Sequence, residues 1–495
     1  MRRRELLGGL AGIVGLSSAG AAGLSSVETA SAHPGPYRPL GRIPIEKAAE
    51  AVPGPDGEFA YVAAMDGFVV VDVAIPRDPQ IVAERRDLLD DRENGPLRGI
   101  QDLKVEGDRL VVAGPADPII GDVLQGLVVY DVSDPTGPEQ VAFFETDYPI
   151  HNCFLRDGVA YLTGNDSEDN PVVTVDVSDD DPTELGRWSP LDHDEAWAEV
   201  PPSLRQVHDV WVGDDRAYLA QWDAGTWILD VSDPAAPESV AQVGGRPREE
   251  LADISEEDAR EHVIKPPGND HYSMPSEDGG LLGINKESWA VGEGDDIEGG
   301  PGGIELWDVS DAQAPERLST IDPPPSPDTT QGGTWTTSHN FDIVGDRLFS
   351  SWYQGGVKVH DISDPANPEE LIWWRMPDEA AFWTAKLATD RFFVASSTGR
   401  LEGIDGALYT FDNEVHGEPQ KDPPSLTSDA GNGTETETTA AGTETTAATT
   451  TTTEEAALDE GTATDEGSSG GAPGFGVPAA VAALLGATAW RKYRG

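Results

Sequence analysis

The chain runs to 495 residues and carries 90 acidic against 33 basic side chains, a formal charge of −57 at pH 7. Such a surplus repels nucleic acid and anionic membrane surfaces, so no nucleic-acid partner is expected, and at low ionic strength it strains a compact state by self-repulsion. The single cysteine, Cys153, excludes a fold held by internal disulfides and reads as a small buried apolar residue rather than a nucleophile.

Arg2-Arg3-Arg4 opens the chain, an apolar Gly- and Ala-rich stretch follows to about Leu24, and Ala30-Ser31-Ala32 has the small-residue form that a signal peptidase needs. Residues 1–32 are therefore predicted to be an export signal, and Arg3-Arg4-x-Leu6-Leu7 fits the twin-arginine pattern of export after folding. Beyond it, PYRPLGRIPI at Pro36–Ile45 reads as a displaced outer strand, similar to PTELGRWSP at Pro182–Pro190.

A phrase then recurs seven times: an apolar run ending in Asp, usually followed by Val-Ser-Asp-Pro, two spacers and Pro. It reads FVVVDVAIPRDP at Phe68–Pro79, LVVYDVSDPTGP at Leu127–Pro138, VVTVDVSDDDP at Val172–Pro182 and TWILDVSDPAAP at Thr226–Pro237. IELWDVSDAQAP follows at Ile304–Pro315 and VKVHDISDPANP at Val357–Pro368, and ALYTFDNE at Ala407–Glu414 is the faded last copy. The cleanest unit, His208–Gly244, holds four short stretches rich in Val, Ile, Tyr and Trp between Gly-Asp and Asp-Pro turns, the pattern of an antiparallel meander. Proline lacks a ladder donor, so Asp-Pro-x-x-Pro must be the turn into the outermost strand. The closing aspartates Asp72, Asp131, Asp176, Asp230, Asp308, Asp361 and Asp412 are placed to accept N–H bonds from it. Four-stranded units repeated radially predict an all-β, seven-bladed β-propeller over residues 36–414. The last copy lacks a fourth strand, which the N-terminal segment is predicted to supply.

His151, His208, His271 and His339 each open a predicted innermost strand (IHNCFL, VHDVWV, DHYSM, SHNFDIV), so they are expected on one ring at one mouth of the central channel. Gln101-Asp102 and Trp383 fall at the same place in other repeats, and the first repeat has an ordinary segment near Ala49. Converging neutral imidazoles are the raw material of a transition-metal site, with Cu, Fe, Ni or Zn compatible. Asp102, Asn152, Asp209, Asp270 and Asn340 would then fix the ring tautomers from a second layer. The other reading is structural: each His-Asp or His-Asn pair is a strand cap, spread by duplication, that bonds a neighbouring blade. Insertions at Leu191–Arg205, Arg246–Gly268, Gly292–Gly303 and Pro323–Thr337 enlarge the third to fifth repeats. The first two precede His208 and His271 and are expected to overhang the same mouth, where such loops carry binding specificity.

From residue 423 to 471 the composition collapses to Thr, Ala, Glu, Gly and Ser, which cannot bury enough surface to fold and reads as a disordered, Thr-rich stalk. Asn432 and Asn165 each begin an N-glycosylation sequon. Residues 472–495 combine Pro473-Gly474-Phe475 with an Ala-, Val- and Leu-rich stretch to Trp490 and a basic end, short for a stable span but suited to a membrane anchor.

The apolar run, its Asp and the Ser-Asp-Pro turn together resemble the LVIVD repeat, a family of extracytoplasmic β-propellers, over about Tyr37 to Asn413. That family implies a propeller and no settled activity. The acid-rich, Lys-poor composition resembles that of proteins from organisms living in concentrated salt. The C-terminal segment resembles the PGF-type sorting signal of archaeal surface proteins, in which a sortase-like protease removes the helix and a lipid replaces it. HDVWV resembles a strand of the selenium-binding and methanethiol oxidase family, whose members use His-ligated metal. Together these imply an exported, cell-surface-anchored propeller acting as an extracellular binding module toward a ligand or envelope component. Its partners in maturation would be the export machinery and an archaeal sortase. The alternative is a metal-dependent oxidoreductase or hydrolase built on the histidine ring.

Overall fold

The computed structural model describes residues 37–414 apart from Glu293. The predicted export signal, the stalk with Asn432 and the sorting segment lie outside the described residues. Seven four-stranded antiparallel sheets follow one another along the chain. Their innermost strands are Ala48–Pro53, Asp102–Glu106, Ile150–Arg156, Asp209–Gly213, Asp270–Pro275, Phe341–Val344 and Phe382–Thr389. Each innermost strand packs beside that of the next blade, and the last packs beside the first, so the ring closes. The apolar runs ending in Asp are the third strands; buried on both faces, they read as continuous Val, Ile and Leu. The cores sit between blades. One joins Val62, Val69 and Val71 of the first blade to Phe392, Val394 and Leu408 of the seventh.

Closure comes from the N-terminus, as the missing fourth strand required. Gly41–Pro44 pairs antiparallel with Ala407–Asp412, in the register Gly41 to Thr410 and Pro44 to Ala407. The Tyr37 hydroxyl donates to the Asp412 carbonyl at 2.6 Å, and Ile45 is 2 % exposed within the core shared by the first and seventh blades. In the other six blades the register shifts once between third and fourth strands. A bulge there twists the outer edge away from pairing with another chain.

The turn chemistry is uniform. Asp72, Asp131, Asp176, Asp230, Asp308, Asp361 and Asp412 each accept the backbone N–H two residues on, at 2.9–3.0 Å. The turn also ties blades together. Thr174, Ser319 and Thr410 donate their hydroxyls to the carbonyls of Pro234, Pro365 and Pro76, each in the turn of the following blade. Cys153 lies fully buried in the third blade, and burial pushes its thiol well above the ordinary range.

Candidate functional site at the channel mouth

The first strand of each blade starts at one end of the channel, and antiparallel pairing returns the end of the second strand to that same end. Two sets of side chains therefore meet at one mouth. The first is the histidine series. His151–His208, His208–His271 and His271–His339 lie with ring centroids 4.2, 4.0 and 4.4 Å apart, and Trp383 of the seventh blade continues the arc 4.2 Å beyond His339. Residues one or two places past the second strands form the second set: Met65, Asn165, Trp222, Glu287, Tyr353 and Thr398.

Trp222 and Tyr353 are held in an unusual backbone conformation, with φ of 43° and 47°. Bulky L-residues avoid positive φ, so the surroundings must over-determine it. Each does so by exchanging backbone bonds with the next blade: Trp222 with Asp270 at 3.2 and 3.0 Å, Tyr353 with Phe382 at 3.0 and 2.9 Å. Both rings consequently face the histidines. Trp222 stands edge-on to His208 with centroids 4.8 Å apart, and Tyr353 stands likewise 5.0 Å from His339. The Tyr353 hydroxyl also donates to Glu287 Oε1.

Backbone carbonyls set the imidazole tautomers. His151, His208 and His339 donate Nδ1–H to the carbonyls of Ala116, His271 and Trp383 at 3.1, 3.0 and 2.6 Å. Each bond crosses to a neighbouring blade, as the strand-cap reading expected, yet it also leaves Nε2 as a free lone pair. The cap and a ligand role are therefore compatible. Burial holds His208 and His271 well below the ordinary imidazole range and His339 down to about 3, so all three are neutral at physiological pH. Glu287, whose Oε2 lies 3.5 Å from His271 Nε2, is pushed up to about 7 by burial against the opposing Tyr353 bond. Among the described residues, His208, His271 and Glu287 bring one donor atom each to within 4.8 Å of one another. His151 and His339 flank that set.

The predicted second-layer residues act elsewhere. Asp102 pairs with Lys104 and accepts the Cys153 N–H at 2.7 Å, and Asn152 donates to the His208 carbonyl and to Asp209 Oδ2, both at 2.9 Å. Asp270 pairs with Lys286, and Asn340 donates to Glu50 Oε2 at 2.9 Å. Asp102, Asn152, Asp209 and Asn340 tie innermost strands together beneath the ring, while Asp270 accepts from Thr226 Oγ1 of the fourth blade at 2.8 Å; backbone carbonyls hold three of the four rings. Glu50, in the stretch that read as ordinary, belongs to the same buried belt and pairs with Lys386 at 2.6 Å.

A cavity of about 1290 Å³ opens above the ring. Three insertions build its walls, through Pro202 and Ser203, through Glu256 and Arg260, and through Gln331 and Trp335. Trp335 meets Tyr353 edge-on with centroids 5.1 Å apart, and Arg400 lies over Trp383 at 5.4 Å, so aromatic rings share the wall with charged groups that include Asp117, Glu256, Arg260 and Glu402. Asn165 is also part of this wall. Expected as a surface acceptor, its side chain is 4 % exposed with neither amide atom accessible, so the folded chain does not offer it to a glycosyl transferase.

Comparison with known proteins finds the same repeat. The LVIVD-repeat family model matches residues 56–84, 119–146 and 204–243, all within the blades. Among solved structures, the β-propeller domain of Cps50 (Swd1) from Myceliophteria thermophila superposes with a TM-score of 0.50. It covers 77% of this chain and 100% of that domain at 11% identity, a likeness of fold alone. No curated protein matches the chain.

Proposed function

We propose that this seven-bladed propeller, three of whose blades match the LVIVD-repeat model, is an exported, cell-surface binding module whose ligand enters the histidine-lined mouth. The observation that carries this reading is the cavity of about 1290 Å³, walled by loops on a rigid ring and lined with aromatic side chains. Export through a twin-arginine route, a Thr-rich stalk and a C-terminal lipid or helix would hold the propeller outside the cell by residues 423–495. Peptide and oligosaccharide fractions from the cell envelope, titrated into the full chain in high salt, test the pocket. Tryptophan quenching that disappears in Trp335→Ala supports the mouth as the binding site, and quenching that survives in Trp335→Ala and Trp222→Ala counts against it.

A second reading, metal-dependent chemistry at the same mouth, is favoured by His208, His271 and Glu287, whose donor atoms lie within 4.8 Å of one another. Metal analysis of protein purified from high salt separates the two, because a pure binding module carries no stoichiometric transition metal.

A further inference from the structure

We propose that His208, His271 and Glu287 form a two-histidine, one-carboxylate centre for a divalent first-row metal, a donor set that suits iron(II) and zinc(II). The proposal rests on the metal reading of the mouth and departs from a ring of four equivalent histidines. Each donor is singled out by its neighbours. The bond from His208 Nδ1 to the His271 carbonyl leaves Nε2 to bind, His271 presents Nε2 3.5 Å from Glu287 Oε2, and Tyr353 occupies Glu287 Oε1, which leaves Oε2. Donors about 2.0–2.2 Å from one ion stand roughly 3 Å apart, so a set within 4.8 Å must close by up to about 1.8 Å when the ion binds. The set contains no thiolate, and the sole cysteine is buried in the third blade, so nothing in it selects a soft ion.

Strain gathers around this centre rather than around the ring as a whole. Trp222, at φ 43°, stands against His208 and His271, and Tyr353, at φ 47°, holds the carboxylate. Tyr353 is thus a positioning residue for Glu287. Three protein donors leave coordination positions open, and the cavity lies on that side, so a small ligand entering it would bind the metal directly.

Cobalt(II) and anaerobic iron(II) titrations of the full chain in high salt test the assignment, read by visible absorption and by metal retained after desalting. The wild type should take one ion per chain. Glu287→Gln, His208→Ala and His271→Ala should each weaken binding by at least about 10-fold, and Tyr353→Phe should weaken it less while shifting the cobalt bands. His151→Ala and His339→Ala, which remove rings packed 4.2 and 4.4 Å from His208 and His271, should weaken binding less than any of those three changes. Near-UV circular dichroism confirms that each variant is folded. Undiminished binding in folded Glu287→Gln, with loss in His151→Ala or His339→Ala, overturns the three-residue centre in favour of the four-histidine ring. No binding by the wild type removes the metal reading altogether and leaves the ligand pocket standing.

Discussion

Ring closure by the N-terminal strand can be tested at Ile45. Its side chain is 2 % exposed among Ala48, Val69, Val71, Val394 and Leu408, where it joins the first and seventh blades. Ile45→Ala leaves a cavity in that joint, and buried Ile-to-Ala changes cost about 2–5 kcal/mol. Unfolding entropy scales with chain length at about 2 cal/mol/K per residue, so a loss of about 3 kcal/mol lowers Tm by roughly 4 °C here. A chain beginning at Lys47 loses Ile45, the ladder to Ala407–Asp412 and the Tyr37 bond together, and should melt far lower. A synthetic peptide of residues 37–46 should restore much of that loss, in proportion to its concentration. Calorimetry in high salt gives all three values. If Ile45→Ala melts with the wild type, or the shortened chain neither loses stability nor responds to the peptide, the ring is not closed by this strand.

Further outcomes follow from charge and burial. Asp131, Asp176, Asp230, Asp308 and Asp361 are held below the usual carboxylate range by the Ser hydroxyl and N–H groups they accept. Their contribution is present above about pH 4 and is lost as pH falls through the folded values. Asp223 is pushed up to about 7 by burial despite Arg246, so its contribution is complete below its unfolded value and is lost as pH rises through about 7. Denaturant unfolding across pH at constant salt should show both limbs, and Asp223→Asn should flatten the upper one. Lowering the salt should destabilise the chain steeply, because a charge of −57 is then unscreened; a Tm independent of salt contradicts this. The buried, high-pKa Cys153 thiol should resist aromatic disulfide reagents until the chain unfolds, and rapid labelling of the native protein contradicts its burial.

The blades were legible because repetition and turn chemistry repeat the same message. Asp-Pro-x-x-Pro admits one place in a meander, and a last copy without its fourth strand demands one from elsewhere. The histidine arc was legible for a similar reason, since His151, His208, His271 and His339 hold one position in their repeats. Glu287 was not. It sits one residue past a second strand, in a chain with 90 acidic residues, and only the antiparallel return of that strand carries it to the mouth. Comparing the two residues after each second strand brings it beside Trp222 and Tyr353. The tautomer partners were misjudged because Asp209 and Asn340 lie next to histidines in sequence. In a strand, neighbouring side chains point to opposite faces, so these two serve the belt below while backbone carbonyls take the rings.

The most direct measurement is anomalous diffraction from crystals of the full chain grown with cobalt(II). One strong peak bonded to His208 Nε2, His271 Nε2 and Glu287 Oε2, open toward the cavity, is the predicted result. A peak shared by His151 and His339 without Glu287, or no peak at the mouth at all, would contradict it.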